Sequence, residues 1–210
     1  MRAAILTSVS ANVADMATVT VPNKLEYCLR HGYSLVVDNR PYNDAVQNVR
    51  QAVGPLFAAF DIVWALDCDA VITDMTTPFH TLPCLGPGAT VCEEGIVAWN
   101  RLNCGSVIWR RGARSEYLLA RIEESLAEWV SMPCVWQTWL GEHAETLGDT
   151  LTVAPLRSFN SCAWTNPGGV SGEPGSHWER GDLVFHPCGV YPMPARLEVI
   201  QTMLESGVVR

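Results

Sequence analysis

Asp61-Ile62-Val63-Trp64-Ala65-Leu66-Asp67-Cys68-Asp69-Ala70 sets five apolar residues between acidic ones. A short apolar run of this kind, closed at both ends by polar residues, reads as a buried strand. Upstream, Ala3-Ala4-Ile5-Leu6-Thr7 and Ser34-Leu35-Val36-Val37-Asp38 read as two more strands. Between them a helix is predicted from Thr20, closed by Gly32. A second helix is expected to begin at Pro41, with Ala45, Val46, Val49, Val53, Leu56, Phe57 and Phe60 at helical spacing and a kink or split at Gly54-Pro55. Strands alternating with helices argue for a parallel sheet joined by crossover helices.

Downstream the pattern is less regular. Thr90-Val91-Cys92 and Ser106-Val107-Ile108-Trp109 read as strands, and Leu118, Ile122, Leu126 and Trp129 mark one face of a helix over residues 113–130. Residues 160–177 are rich in Gly, Pro, Ser and Asn and read as a loop, either a lid over the donor or a plain surface loop. A short apolar strand, Leu183 to Phe185, follows, and a last helix starts near Pro194 with Leu197, Ile200, Met203 and Leu204 inward and Gly207 at its end. With 210 residues, 48% of them hydrophobic, and no linker or repeat, residues 1–210 are expected to form a single domain.

Lys and Arg total 14 against 22 acids, for a net charge of −8, so no global field draws the chain onto a polyanion. Contact with nucleic acid would have to be local, for instance at Arg110-Arg111 with Arg114. No stretch approaches the roughly 18 apolar residues of a membrane span, so a cytoplasmic protein is expected. The eight cysteines include no CxxC pair, which favours buried reduced thiols over bridges or zinc.

Asp67-x-Asp69 is the segment that carries chemistry. It places two carboxylates at the carboxyl end of a strand, where open α/β sheets bind ligands. Two hard oxygen donors suit Mg²⁺ or Mn²⁺, with coordination positions left for the oxygens of a diphosphate. An ordinary polar turn is the competing reading. Far along the chain, His177-Trp178-Glu179-Arg180-Gly181-Asp182-Leu183-Val184-Phe185-His186-Pro187-Cys188-Gly189 turns into a short strand that ends in His186. A neutral imidazole there suits Mn²⁺ as a third ligand, and a hydrogen-bonded core histidine is the alternative.

The ordered set of segments resembles a known family. Its pieces are Asn23-Lys24 with Tyr27-Cys28-Leu29-Arg30-His31-Gly32-Tyr33, then Val63 through Ala70, Leu102-Asn103-Cys104-Gly105-Ser106-Val107-Ile108-Trp109-Arg110, Trp136-Gln137, and Trp178 through Gly189. In order and approximate spacing these resemble the galactosyl- and xylosyltransferases that include plant xyloglucan xylosyltransferases, galactomannan galactosyltransferases and yeast α-mannan-synthesis proteins. The resemblance implies a GT-A fold, an α/β Rossmann-like domain with a mixed, mostly parallel sheet flanked by helices. It implies a retaining glycosyltransferase using a nucleotide-sugar donor, UDP-linked by preference. Asp67 and Asp69 would be the metal pair, His186 the third ligand, Asn103 and Gly105 the lining of the donor and acceptor pocket, and Gln137 a group beside the transferred sugar. Trp136, Trp164 and Gly189 are further candidates for binding donor or acceptor. Set against the membrane-anchored members of the family, the lack of a membrane span implies a bacterial or viral-encoded enzyme.

Two positions depart from the family. Trp136 stands where an acidic residue often precedes the glutamine, and Val190 where a basic residue often follows the late His-x-x-Cys pattern. Arg110, Arg111 or Arg157 would have to supply the missing positive charge. An inverting enzyme would need a base, for which Glu93, Glu94 and Glu142 stand out, though all three read first as surface carboxylates. Of the tryptophans, Trp99, Trp109, Trp136, Trp139 and Trp164 offer sugar or base platforms, Trp164 foremost because it lies in the loop, while Trp64 and Trp129 read as packing. The acceptor stays open between a glycan, a protein and a hydroxymethylated DNA base. A degenerate nucleotide-sugar-binding module and a metal-dependent phosphohydrolase are the alternative functions.

Overall fold

The computed structural model describes residues 1–40, 47–96, 100–132, 136–162, 175, 177–190, 192–207 and 209. Strand β1 (Ala3–Ser8) leads into helix α1 (Ala14–His31), β2 (Ser34–Asp38), helix α2 (Gln47–Leu56) and β3 (Ile62–Leu66). A two-residue strand β4 (Val71–Ile72) follows the Asp67–Ala70 turn, then β5 (Ala89–Ile96) and the long β6 (Asn100–Arg110). Helices α3 (Ala113–Glu124), α4 (Leu126–Trp129) and α5 (Trp136–His143) come next, then β7 (Leu151–Ala154), β8 (Ser161–Cys162), β9 (Val184–His186) and α6 (Met193–Glu205).

Six strands form the central sheet in the order β2-β1-β3-β6-β5-β7. β1 is parallel to β2 and β3, β6 is antiparallel to both of its neighbours, and β7 is parallel to β5, so five strands run one way and β6 the other. The expected mixed, mostly parallel sheet is therefore present. A small sheet, β4-β9-β8, lies beyond the carboxyl end of β3.

Two apolar layers cover the central sheet. On one side Val63, Val91, Val107 and Trp109 pack against α2, α3 and α5, through Val53, Leu118, Ile122, Trp139 and Leu140. On the other side Ile5, Ile62, Trp64 and Ile108 meet Tyr27 and Cys28 of α1 together with Phe79 and Phe159. A third cluster joins Met16 of α1, Val71 and Phe185 of the small sheet, and Ile200 and Met203 of α6.

Helix α1 begins earlier than its periodicity predicts and closes at Gly32, whose φ of 69° is a left-handed conformation that suits glycine. Its buried stripe is Met16, Thr20, Asn23, Lys24, Tyr27 and Cys28, polar in the middle. The expected 113–130 helix is broken at Ser125 into α3 and α4. Leu183 precedes rather than opens the late strand, which extends instead to His186. Pro41, Ala45, Val46, the 163–174 part of the expected loop, Trp99 and Trp164 lie outside the described residues, as do the side chains of Val49 and Trp129.

Candidate functional site

The end of β3 is held from two directions. The Asp67 N–H donates to the Gly105 carbonyl at 2.7 Å, fixing the turn against β6. From below, α1 grips the next residues. Asn23 donates through Nδ2 to the Ile72 carbonyl at 2.9 Å and accepts from the Ile72 N–H at 2.8 Å, while Lys24 Nζ donates to the carbonyls of Ala70 at 2.7 Å and Cys68 at 3.2 Å. Lys24 is fully buried, and burial lowers its pKa to about 8 against the opposing pull of nearby acidic groups.

This turn and the end of β9 bring Asp67, Asp69 and His186 together. His186 Nε2 lies 3.3 Å from Asp69 Oδ1 and 3.8 Å from Asp67 Oδ2. The other oxygen of Asp69 is taken by Arg196 Nη1 of α6 at 2.5 Å, and Arg196 Nε also donates to the Val190 carbonyl at 3.0 Å. Burial alone would raise the pKa of Asp69, but His186 and Arg196 hold it well below the carboxylate range. Desolvation works against charge on His186 as well, yet the two aspartates push it up to about 9. The surrounding protein and then the Asp69 charge raise Asp67 to about 6; because its side chain is 59% open to solvent, repulsion by Asp69 is the better-founded cause.

Gly105 makes room for this arrangement. A Cβ there would overlap His186 Cε1 and stand 2.7 Å from Asp67 Oδ2, so no larger residue fits without displacing the site. The backbone reaches this position through a register break: Val91 pairs with Val107 but Cys92 with Asn103, so β6 bulges between. The N–H groups it frees find side-chain acceptors, Cys104 N–H donating to Gln137 Oε1 at 2.7 Å and Gly105 N–H to Asn103 Oδ1 at 2.9 Å. Both amides then donate to Glu94, from Asn103 at 2.7 Å and Gln137 at 3.4 Å.

Glu94 corrects the sequence reading: it is a buried carboxylate, 4% exposed, where a surface one was expected. It sits at a second register break, between Glu93 and Ile96 of β5, which defeats simple alternation. Burial is the main reason its pKa rises to about 7.

Asn103, Gly105 and Gln137 thus stand in one network behind the Asp67–His186 pair, and Gly189 occupies a left-handed turn, φ 76°, three residues past His186. Trp136 is not brought to the site; it packs into the core layer with Trp139 and Trp109. Arg111 pairs with Asp61 at the opposite end of β3, and Arg157 is held by Asp182 and Glu179. Among the described residues the guanidinium at the site is that of Arg196, which sequence reasoning missed; its only signal is a basic residue in the first turns of the last helix. Among the described residues the cysteines at 28, 68, 84, 92, 104, 162 and 188 form no disulfide with one another.

No protein family and no curated protein matches the sequence. Solved structures do. A glycosyltransferase involved in glycosylation of the major capsid of PBCV-1 superposes with a TM-score of 0.71 over 96% of this chain and 100% of its own, at 16% identity. The fold is that of GT-A glycosyltransferases. Galactosyltransferase LgtC, solved in complex with donor and acceptor sugar analogs, gives a TM-score of 0.58 over 95% of each chain at 13% identity. The glycosyltransferase GlyE of Streptococcus pneumoniae TIGR4 gives 0.60 over 98% of this chain and 63% of its own, at 12% identity. Among the described residues no helix is long and apolar enough to cross a membrane.

Proposed function

We propose that this protein is a metal-dependent glycosyltransferase that moves a hexose or pentose from a nucleotide diphosphate sugar, UDP-linked by preference, to an acceptor hydroxyl with retention. The observation that carries this reading is the convergence of Asp67, Asp69 and His186 at the carboxyl end of β3, in a fold shared with glycosyltransferases. The donor set fits Mn²⁺ or Mg²⁺. Octahedral ligands at about 2.1 Å lie about 3 Å apart when adjacent, close to the 3.3 and 3.8 Å measured here. The open side of Asp67 leaves room for water or phosphate oxygens.

Asp67, Asp69 and His186 would hold the ion, which would supply positive charge against the negative charge gathering on the departing diphosphate. The chain's own residues do the rest. Arg196 fixes Asp69 so that its second oxygen faces His186, and Lys24 and Asn23 hold the turn rigid. Gly105 lets His186 approach the aspartates. Asn103 and Gln137, both donating to Glu94, shape the sugar side. The bond between the anomeric carbon and the diphosphate breaks, the acceptor oxygen bonds from the same face, and its proton passes to the leaving phosphate. The sequence resemblance to galactosyl- and xylosyltransferases supports the retaining outcome.

The test is mass-spectrometric turnover of a panel of nucleotide sugars with Mn²⁺ and a mixed acceptor panel of glycans, protein and hydroxymethylated DNA, comparing wild type with Asp69→Ala. Metal-dependent consumption of one donor, absent in the variant, is the expected result. Donors that all survive although a nucleotide binds with metal would make the chain a binding module, and release of inorganic phosphate would make it a phosphohydrolase.

A further inference from the structure

A second group of metal-binding side chains converges on the seam between the two sheets. Glu94 on the bulge of β5, Cys162 at the end of β8 and Cys188 in the turn after β9 bring a carboxylate oxygen and two sulfurs within 4.8 Å of one another. The two sulfurs are 3.4 Å apart, with the Cys188 thiol donating to Cys162. Glu94 and Cys162 are buried and Cys188 is half-buried.

We propose that Glu94, Cys162 and Cys188 form a second cation centre, suited to a thiophilic divalent ion such as Zn²⁺, that ties the small sheet to the central one. Two thiolates and one carboxylate are a softer set than the oxygen-rich Asp67 site, and they select zinc over magnesium or manganese. Tetrahedral zinc with Zn–S near 2.3 Å separates two sulfurs by about 3.7 Å, so the 3.4 Å spacing needs only a small adjustment. Three protein ligands leave one position. Cys162 is in register with His186 on one side and with His177 on the other, and residues in register share a face of the sheet. His177 Nε2 on that face is buried and has no hydrogen-bond partner among the described residues, but it lies outside the 4.8 Å group, so the fourth position is left to water.

Binding exchanges protons and involves no redox step. Both thiol protons leave to solvent as the sulfurs become ligands, together with any proton Glu94 carries. The centre then crosses the seam from β5 to β8 and β9. Glu94 also holds Asn103, which holds Gly105, so the ion would brace the backbone beside the Asp67 site.

The test uses the full chain, reduced and stripped of metal, titrated with Co²⁺. Thiolate coordination gives an intense near-ultraviolet charge-transfer band that oxygen and nitrogen ligands do not. The band is expected in wild type and in Asp69→Asn, and it is expected to vanish in Cys162→Ser and Cys188→Ser. In wild type Zn²⁺ should displace the band and shield two thiols from a thiol reagent. Co²⁺ binding without the band, or a band that survives both cysteine variants, would overturn the proposal. The wild-type spectrum decides the matter even if a variant does not fold.

Discussion

Gly105→Ala adds a single methyl group at the point where β6 meets the candidate site. Its Cβ would overlap His186 Cε1, 2.9 Å from His186 Nδ1 and 2.7 Å from Asp67 Oδ2, where ordinary contact begins at 3.4 Å. Nδ1 must therefore retreat by about 0.5 Å and the carboxylate by about 0.7 Å, with Cε1 moving further, on overpacking grounds. His186 cannot yield easily, because it is buried and its strand is paired on both sides, with β4 and β8. We expect a stability loss of about 1–3 kcal/mol from overpacking. The larger effect falls on Mn²⁺ affinity: outer-shell changes cost roughly 10–100-fold, and displacing a ligand should cost at least ~100-fold. Isothermal titration with Mn²⁺ measures this directly. Gly54→Ala is the control, since a Cβ there meets nothing within 4 Å. If Gly105→Ala bound Mn²⁺ as wild type does while Asp69→Asn did not, His186 would not be a ligand and the crowding argument would fail.

Glu94→Gln removes a carboxyl whose folded pKa is raised from 4.5 to about 7. The stability of wild type relative to this variant is full below pH 4.5 and declines as pH rises through 7, by up to about 3 kcal/mol; urea unfolding across that range checks it, and a flat difference refutes it. Lys24→Met strands the Cys68 and Ala70 carbonyls inside the protein and should cost about 2 kcal/mol, read by the same unfolding assay. Arg196→Ala leaves Asp69 buried with His186 alone and should cost about 3 kcal/mol at neutral pH, seen as a lowered Tm. Tyr27→Phe removes the hydroxyl that donates to the Thr77 carbonyl and accepts from the Phe79 N–H, and thermal unfolding should show a loss of about 2 kcal/mol.

The legible parts of this chain are those where local pattern and tertiary role agree. Strands β1 and β3 are continuous apolar runs because both faces of the sheet are covered there, while the edge strand β2 is partly exposed; their alternation with helices carries the parallel topology. Asp67 and Asp69 are readable because they directly follow such a run, and His186 because it ends another. Glu94 is not readable: it lies at a register break, and the pattern of apolar and polar residues carries no mark of a bulge. Arg196 escapes for a different reason. Its meaning depends on α6 folding back onto the Asp67–Ala70 turn, a contact that spans 127 residues of sequence. Trp136 misleads in the opposite direction, since a tryptophan beside a site glutamine looks like a platform until the core layer under α5 is seen to need it.

The reversed direction of β6 has a consequence for how the chain can change length. Had β6 run with its neighbours, its start would lie at the far edge of the sheet, and Gly105 would depend on a loop to reach Asp67. Instead the first half of the strand arrives at the edge where β3 leaves, and a backbone hydrogen bond joins the two. Insertions or deletions between residues 73 and 88 can be absorbed without moving Gly105 from Asp67, because the ladder rather than the connection sets their distance. One residue added inside β6 would instead turn Gly105 away and put a side chain in its place. Diversity in a lineage built on this plan should collect in the connections, while the ladder keeps its count.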